Sequence, residues 1–207
     1  YKRQVPIEAI SSKFIQQKTN VWLGPKKHFV QYLVKGGNFL NCVCLVEQND
    51  WTNEDWSEKG DISELKHIFS DWHPEIQEIL ESTKPGSLYK WGLHDRAPMN
   101  KWSKGRFSLL GDAAHPMLPF VAQGAAMAIE DGVVLASSLS SFDSVALGLN
   151  DYENRRKYRT AKAQRTASRN ATIFHLSDFF AIFRNLVMKF FIKKIMDSFY
   201  KYDAISK

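Results

Sequence analysis

The stretch at residues 105–131 constrains this chain more than any other. Its apolar residues 107–110 predict a short buried strand, and a Gly111-Asp112 turn then leads into a loop stiffened by two prolines. From Gly124 onward, small apolar residues predict a helix. A strand, a tight turn and a helix in this order are typical of one layer of an α/β fold.

The turn and the start of the helix favour a ligand with a negative edge. The first N–H groups of a helix have no partner within it and carry partial positive charge, so an anion or electron-rich carbonyl is favoured in front of Gly124, Ala125 and Ala126. Asp112 follows a strand, where α/β folds place ligand-binding side chains, and its carboxylate can accept hydrogen bonds from sugar or polyol hydroxyls. A reduced flavin suits these features, although other strand-turn-helix units of α/β proteins share them.

The same stretch resembles a known family. The run LGDAAHP at residues 110–116, with Pro119 and the run QGAAMAIED at residues 123–131, resembles the second flavin motif of the single-component flavoprotein aromatic hydroxylases. The salicylate hydroxylase and 6-hydroxynicotinate monooxygenase branch is the most similar. The resemblance implies that Asp112 holds the ribityl or ribose part of FAD and that Pro119 presents its carbonyl near the reactive face of the ring. It also implies that the helix N–H groups meet the N1/C2 edge. The implied cofactor residues are Gly111, Asp112, Pro119, Gly124, Ala125 and Ala126.

The length and the glycines bear on domain organisation. The 207 residues, 44% of them hydrophobic, are enough for one domain or parts of two. None of the 11 glycines forms the Gly-x-Gly-x-x-Gly motif of dinucleotide-binding folds, and there is no initiator Met. Together with the resemblance, this implies the carboxyl-terminal part of a hydroxylase whose first FAD motif lies upstream. The predicted class is mixed α/β. The resemblance implies an FAD-binding three-layer fold with an inserted β-sheet substrate domain, present in part, and C-terminal helices.

The predicted regions follow from that fold. We expect a substrate-side β-sheet region at residues 1–97, the returning part of the FAD-binding domain at 98–144 and C-terminal helices at 145–207. Residues 88–93 predict a further strand of the first region. Arg96, near the junction, could reach a cofactor or substrate carboxylate, but we favour a structural ion pair.

A predicted β-hairpin carries the candidate substrate residues. Lys27–Val34 and residues 38–47 alternate in polarity around two glycines, and this alternation places His28 and Tyr32 on one face. The resemblance implies that these two side chains lie over an aromatic substrate. His28 would act as base or hydrogen-bond partner to the ring hydroxyl, and Tyr32 would orient the ring or its carboxylate. A solvated strand end at His28 and an ordinary strand aromatic at Tyr32 remain the alternative.

Charge and composition narrow the partners. The net charge of +6 is concentrated mildly after Tyr152, without the patterns of a nucleic-acid module, and we interpret the basic residues there as a solvated helix face. The histidines lack the spacing of a metal site, so we expect no metal. Cys42 and Cys44 favour reduced thiols in a cytoplasmic protein.

Residues 172–202 predict an apolar helix, for which core packing or a homodimer contact is favoured over membrane-surface attachment.

The function implied by the resemblance is FAD-dependent monooxygenation. A small aromatic acid or N-heterocycle would be hydroxylated with NAD(P)H and O2 through a flavin C4a-hydroperoxide. Two alternatives stay open: a related flavoenzyme of different chemistry, an epoxidase or a reductase, and an inactive fragment that binds no FAD alone.

Overall fold

The computed structural model describes residues 1–11, 18–48, 55, 57–84 and 86–205. They form two compact units: unit 1 contains Tyr1–Gly92 and Phe174–Ser177, and unit 2 contains Leu93–Ile173 and Asp178–Lys207. Helices and strands are both present, which confirms the mixed α/β class. No helix in the described ranges is long and apolar enough to cross a membrane.

Unit 1 is built on an antiparallel sheet with strand order β1-β4-β3-β2. The predicted hairpin is confirmed as strands β3 and β4, which pair from Lys27 opposite Val46 to Val34 opposite Phe39. The elements are β1 (Lys2–Pro6), β2 (Asn20–Gly24), β3 (Lys27–Val34), β4 (Phe39–Val46), α1 (Ile62–Ile68) and α2 (Pro74–Glu81). Asp61 caps α1 by accepting the Ser63 N–H at 2.7 Å, and Pro74 opens α2 at the position where a missing N–H costs nothing.

The core of unit 1 lies between one face of the sheet and the two helices. Phe29, Cys42 and Cys44 on the sheet are fully buried in one cluster with the apolar residues of α1 and α2. Directly paired residues of antiparallel strands share a face, and neighbours along a strand alternate. His28, between the core side chain of Phe29 and the strand end at Lys27, therefore lies on the opposite face of the sheet.

The strand expected at residues 88–93 does not form. Tyr89 makes only isolated bridges, to Lys2 and to Lys59. The next residue, Lys90, donates its N–H to the Glu58 carbonyl instead of continuing along β1, so no ladder develops. Trp51 and Trp56, for which the sequence predicts a core or sheet-covering position, lie outside the described residues.

Unit 2 is mainly helical. Its elements are β5 (Ser103–Lys104), β6 (Phe107–Ser108), α3 (Gly124–Ser140), α4 (Val145–Phe174, whose last residue belongs to unit 1) and α5 (Asp178–Tyr200). The helix predicted to begin at Gly124 is confirmed. The buried strand expected at residues 107–110 is wrong in extent and burial: β6 pairs only with β5, and the Phe107 side chain is 82% exposed.

Helix α5 leaves most of its apolar side chains exposed. Phe179, Phe183 and Phe190 are each more than 60% exposed, whereas Phe199 at the carboxyl end is buried. Core packing, one of the two expected uses of this helix, is therefore limited within the described residues to its last turn. The expected homodimer contact stays a prediction.

A buried carboxylate, that of Asp131 on α3, joins the loop before α3 to helix α4. It accepts hydrogen bonds from the Gly111 N–H at 3.0 Å, from Nε2 of His115 at 2.6 Å and from Nε of Arg156 at 2.7 Å. Burial alone would raise the pKa of Asp131, but the bonds from His115, Gly111 and Arg156 outweigh it and lower that pKa. The carboxylate is therefore ionised and fully bonded.

The charges of α4 are not all solvated, contrary to the interpretation from sequence. The side chain of Arg156 is fully buried and that of Arg159 is 11% exposed, and both donate to Glu130, at 2.7 Å from Arg156 and 2.6 Å from Arg159. Arg159 also donates to the Phe199 carbonyl at 3.0 Å and stacks on the ring of Tyr202 at 3.7 Å. The network therefore runs from the loop before α3 to the C-terminal segment of unit 2.

Replacing Asp131 with Asn is expected to lower the free energy of unfolding by about 3 kcal/mol, because Arg156 loses a buried ionic partner. The folded-state pKa of Asp131 is below its unfolded value, so its contribution is present at neutral pH and is lost as the pH falls through the folded value. The difference in free energy of unfolding between wild type and variant should become smaller in acid, as measured by chemical denaturation at several pH values. Asp143→Asn, at an exposed site, is the control; equal stability of Asp131→Asn and this control would contradict the role of the network.

Candidate functional site

The turn at Gly111 and Asp112 is held tightly against helix α3. Gly111 has φ +59°, and a Cβ at that position would lie 3.2 Å from the Cβ of Ala128. Glycine meets both the left-handed conformation and the close approach. Its N–H is bonded to Asp131, so the turn is fixed to the helix by packing and by a hydrogen bond.

Asp112 faces solvent at the beginning of α3. Its carboxylate is exposed, and an Oδ1 of Asp112 lies 3.9 Å from the position that a Cβ of Gly124 would take. The side chain of Gln123, the N-cap residue, does not cap the helix. The structure thus brings together a carboxylate acceptor and a helix N-terminus whose first N–H groups lack intrahelical partners.

A buried polar atom at the same end of α3 also lacks a partner. Gln123 is only 2% exposed, and its Nε2 makes no hydrogen bond to any described residue. Buried amide donors are nearly always bonded in proteins, so this atom has the chemistry of a ligand contact. The Asp112 carboxylate can accept hydrogen bonds from the hydroxyls of a flavin. The N–H groups at the start of α3 and the amide of Gln123 can donate to its carbonyl edge. The residues therefore fit FAD.

Two further predicted residues border this loop. Pro119 is exposed and opens the 3₁₀ turn Pro119–Val121, which ends at Ala122 in the left-handed conformation with φ +51°. Arg96 donates to the carbonyl of Ala113 and makes no ion pair with a described carboxylate, so the ion pair expected there is not observed. Arg96 forms no ion pair there because its guanidinium is bonded to the backbone next to Asp112, where it holds the turn.

His28, in unit 1, is buried and bonded to a second histidine. It is 2% exposed, with its Nδ1 2.8 Å from Nε2 of His175, and the edge of Phe174 lies against its ring at a centroid distance of 5.6 Å. Burial, and next the charge of His175, lower the pKa of His28 to about 3. The imidazole is neutral at physiological pH, and His28 is not part of a solvated strand end.

Tyr32 lies on the same sheet face as His28 but in a different environment. It is 36% exposed and lines an open cleft of about 390 Å³ together with Lys18. Directly opposite Tyr32 on β4 is Asn41, which is 2% exposed and whose Nδ2 makes no hydrogen bond to a described residue. Four strand positions, roughly 13 Å, separate His28 from Tyr32. The face thus presents a neutral imidazole, a phenol and an amide donor.

Sequence reasoning missed the residues that support both predicted sites. Asp131 had a signal, since it is a charged residue within a run of small apolar ones on α3. Arg156 is buried because it is bonded to Glu130 and Asp131 on α3. This could have been inferred from the sequence only if the crossing of α3 and α4 had been known. His175, which is bonded to His28, and Glu47, which is bonded to His175, lie 147 and 19 residues from His28 along the chain and carry no motif.

Two curated relatives show what this chain is similar to. It is 40% identical over 155 residues to 6-hydroxynicotinate 3-monooxygenase of Pseudomonas fluorescens, which covers 72% of this chain and 39% of that protein. It is 35% identical over 185 residues to 3-hydroxybenzoate 6-hydroxylase of Klebsiella oxytoca, covering 87% of this chain and 44% of that protein. The chain spans less than half of the length of these relatives.

Solved structures and a family model agree with these relatives. A salicylate hydroxylase substrate complex has TM-score 0.81 at 22% identity and covers 100% of this chain and 54% of its own. Klebsiella pneumoniae HpxO complexed with FAD and uric acid has TM-score 0.79 at 23% identity and covers 96% and 51%. At these identities the likeness shows the fold. A family model described as "FAD binding domain" matches residues 8–167, and the chain therefore belongs to that family.

Proposed function

We propose that this chain is part of an FAD-dependent monooxygenase that hydroxylates a small aromatic acid or N-heterocycle, with NAD(P)H as reductant and O2 as co-substrate. The observation that carries the proposal is the exposed Asp112 carboxylate beside the uncapped start of α3, in a turn that the buried Asp131 bonds to that helix. Relatives named for 6-hydroxynicotinate and 3-hydroxybenzoate support the substrate class.

The residues of unit 2 would hold the cofactor in separate ways. Asp112 accepts hydrogen bonds from ribityl or ribose hydroxyls, and the rigid turn at Gly111 limits where its carboxylate can point. The N–H groups of Gly124, Ala125 and Ala126 would donate to the electron-rich N1/C2 edge, where the positive end of α3 would stabilise negative charge. Pro119 contributes its carbonyl. When bound, FAD supplies the redox chemistry, accepting electrons from NAD(P)H and activating O2.

The residues of unit 1 would prepare the substrate. A hydroxylated ring reacts with an electrophilic oxygen more readily as the phenolate, so a base beside its hydroxyl accelerates the reaction. His28 is neutral and buried, which leaves it able to accept a hydrogen bond from that hydroxyl; its lowered pKa makes it a weaker acceptor of the proton itself. Tyr32 and the unpaired amide of Asn41 would orient the ring or its carboxylate, because the two residues are cross-strand neighbours.

Asp112→Ala is expected to weaken FAD binding about tenfold or more, since it removes a charged acceptor from ligand hydroxyls. The dissociation constant is measured by the quenching of flavin fluorescence as FAD is titrated with the protein that the open reading frame containing these residues encodes. Asp143→Ala, which removes an exposed carboxylate from unit 2, should bind FAD as the wild type does. Equal affinity of the two variants would refute the assignment of Asp112.

His28→Ala is expected to lower kcat/KM for hydroxylation by about 10²-fold or more while leaving FAD affinity unchanged, as befits loss of a base. Turnover is followed by NAD(P)H consumption and by product chromatography with 3-hydroxybenzoate and 6-hydroxynicotinate. His67→Ala, on the exposed side of α1, is the matched control. Wild-type turnover in His28→Ala would remove His28 from the substrate site.

A further inference from the structure

Helix α5 of unit 2 carries an apolar stripe on its outer side. The stripe consists of Phe179, Phe183, Leu186 and Phe190, whose i, i+4, i+7, i+11 spacing places side chains in one line along a helix. These residues are 74%, 61%, 55% and 67% exposed. At about 1.5 Å per residue, the stripe is roughly 16 Å long.

The other side of α5 faces unit 2. Helical spacing places Ala181, Met188 and Phe199 on that side, where the first two are half-buried and Phe199 is buried in a cluster with Met127 and Ala163. The exposure of the stripe therefore belongs to one side of the helix. A contiguous exposed apolar surface of this kind is typical of an interaction site.

Exposed lysines border the carboxyl end of the stripe. Lys193 and Lys194 follow its last residue by three and four positions, so that one lies on each side of it, and Lys189 lies at its edge. Asp197, the one acidic residue among residues 189–200, is bonded to Lys201 at 2.7 Å. The outer side of this half of the helix thus combines aromatic rings with a net positive charge.

This combination favours a lipid surface over a protein partner. Aromatic and aliphatic side chains enter the headgroup region of a bilayer, and lysines beside them lay their stems on apolar surface while their ammonium groups reach anionic headgroups. Lysine is depleted in protein–protein interfaces. A second copy of the chain on the same stripe would also bring two sets of these lysines together, which is unfavourable in a desolvated contact.

We propose that the stripe and its three lysines, Lys189, Lys193 and Lys194, form a docking surface for a membrane that contains anionic phospholipids. Helix α5 lies lengthwise on this membrane, with the stripe among the headgroups and the ammonium groups against the lipid phosphates. The proposal uses no residue of the flavin loop or of the candidate substrate face, so it stands or falls separately from the proposed function.

Co-sedimentation with lipid vesicles tests the surface. The protein encoded by the reading frame that contains this chain is mixed with vesicles of phosphatidylcholine alone or of phosphatidylcholine with phosphatidylserine, and the bound fraction is measured at increasing lipid concentration. We expect binding to the anionic vesicles that weakens as the salt concentration rises, and much weaker binding to the neutral vesicles. Absence of binding to the anionic vesicles overturns the proposal.

Replacing the three lysines with Gln together tests the charge contribution. Each lysine is expected to contribute a factor of about five in affinity, so the triple variant should bind anionic vesicles on the order of a hundredfold more weakly. The control removes three charges from exposed sites of unit 2 outside α5, with the substitutions Lys101→Gln, Lys104→Gln and Arg106→Gln. Equal losses in the two triple variants would mean that attraction to the vesicles is unspecific, and would overturn the assignment to α5.

The double variant Phe183→Ala, Phe190→Ala tests the apolar contribution. Its affinity for anionic vesicles should fall on the order of tenfold or more, because two rings no longer enter the headgroup region. Both residues are exposed, so far-ultraviolet circular dichroism and FAD affinity should stay at wild-type values. Phe107→Ala, which removes an 82% exposed ring outside α5, is the control and should bind as wild type. Wild-type affinity in the double variant would contradict the proposal.

Sedimentation velocity of the lipid-free protein distinguishes two other occupants of the stripe. A dimer that the Phe183→Ala, Phe190→Ala variant dissociates, together with no binding to vesicles, would assign the stripe to a second copy of the chain. No binding to vesicles and an unchanged oligomeric state would mean that the rest of the encoded protein covers the stripe. Either result overturns the proposal, and neither alters the tests of Asp112 and His28.

Discussion

The turn that bears Asp112 depends on the hydrogen bonds of one buried carboxylate, that of Asp131. It binds the Gly111 N–H, the His115 ring and the Arg156 guanidinium, which come from a turn, a loop and helix α4. Taking a carboxylate out of water is costly unless its lone pairs are bonded, and here donors from all three elements bond them. Because burial of the charge is unfavourable without these bonds, the turn that bears Asp112 is held in one position.

Unit 1 contains a buried polar chain of a different kind. In unit 2 the buried carboxylate is ionised by strong donors and serves to hold backbone in place. In unit 1 the buried group is an imidazole whose pKa is lowered to about 3, and its hydrogen bonds lead outward to the half-exposed Glu47. The first arrangement stabilises a fixed charge, and the second keeps a buried imidazole neutral. The proposed division of roles, cofactor in unit 2 and substrate activation in unit 1, follows from that contrast.

Local patterns were enough to predict the elements whose determinants are local. The β3-β4 hairpin, the start of α3 at Gly124 and the shared face of His28 and Tyr32 follow from alternation, glycines and helical spacing. The pairings that give these residues their electrostatic environment are long-range: Arg156 meets Asp131 across 25 residues, and His28 meets His175 across 147. Short-range periodicity contains no information on such contacts. For the same reason α4 was interpreted as solvated, since its buried and exposed arginines look alike in sequence.

The most direct measurement is a crystal structure, with FAD bound, of the protein encoded by the reading frame that contains this chain. We expect a carboxylate oxygen of Asp112 within about 3 Å of a ribityl or ribose hydroxyl, and the N1/C2 edge of the ring facing the N–H groups of Gly124, Ala125 and Ala126. The Nε2 of Gln123 should have a polar partner, and the Asp131 network should be unchanged. FAD bound away from this loop, with Asp112 and the first turn of α3 contacting only water, would contradict the assignment of the flavin site.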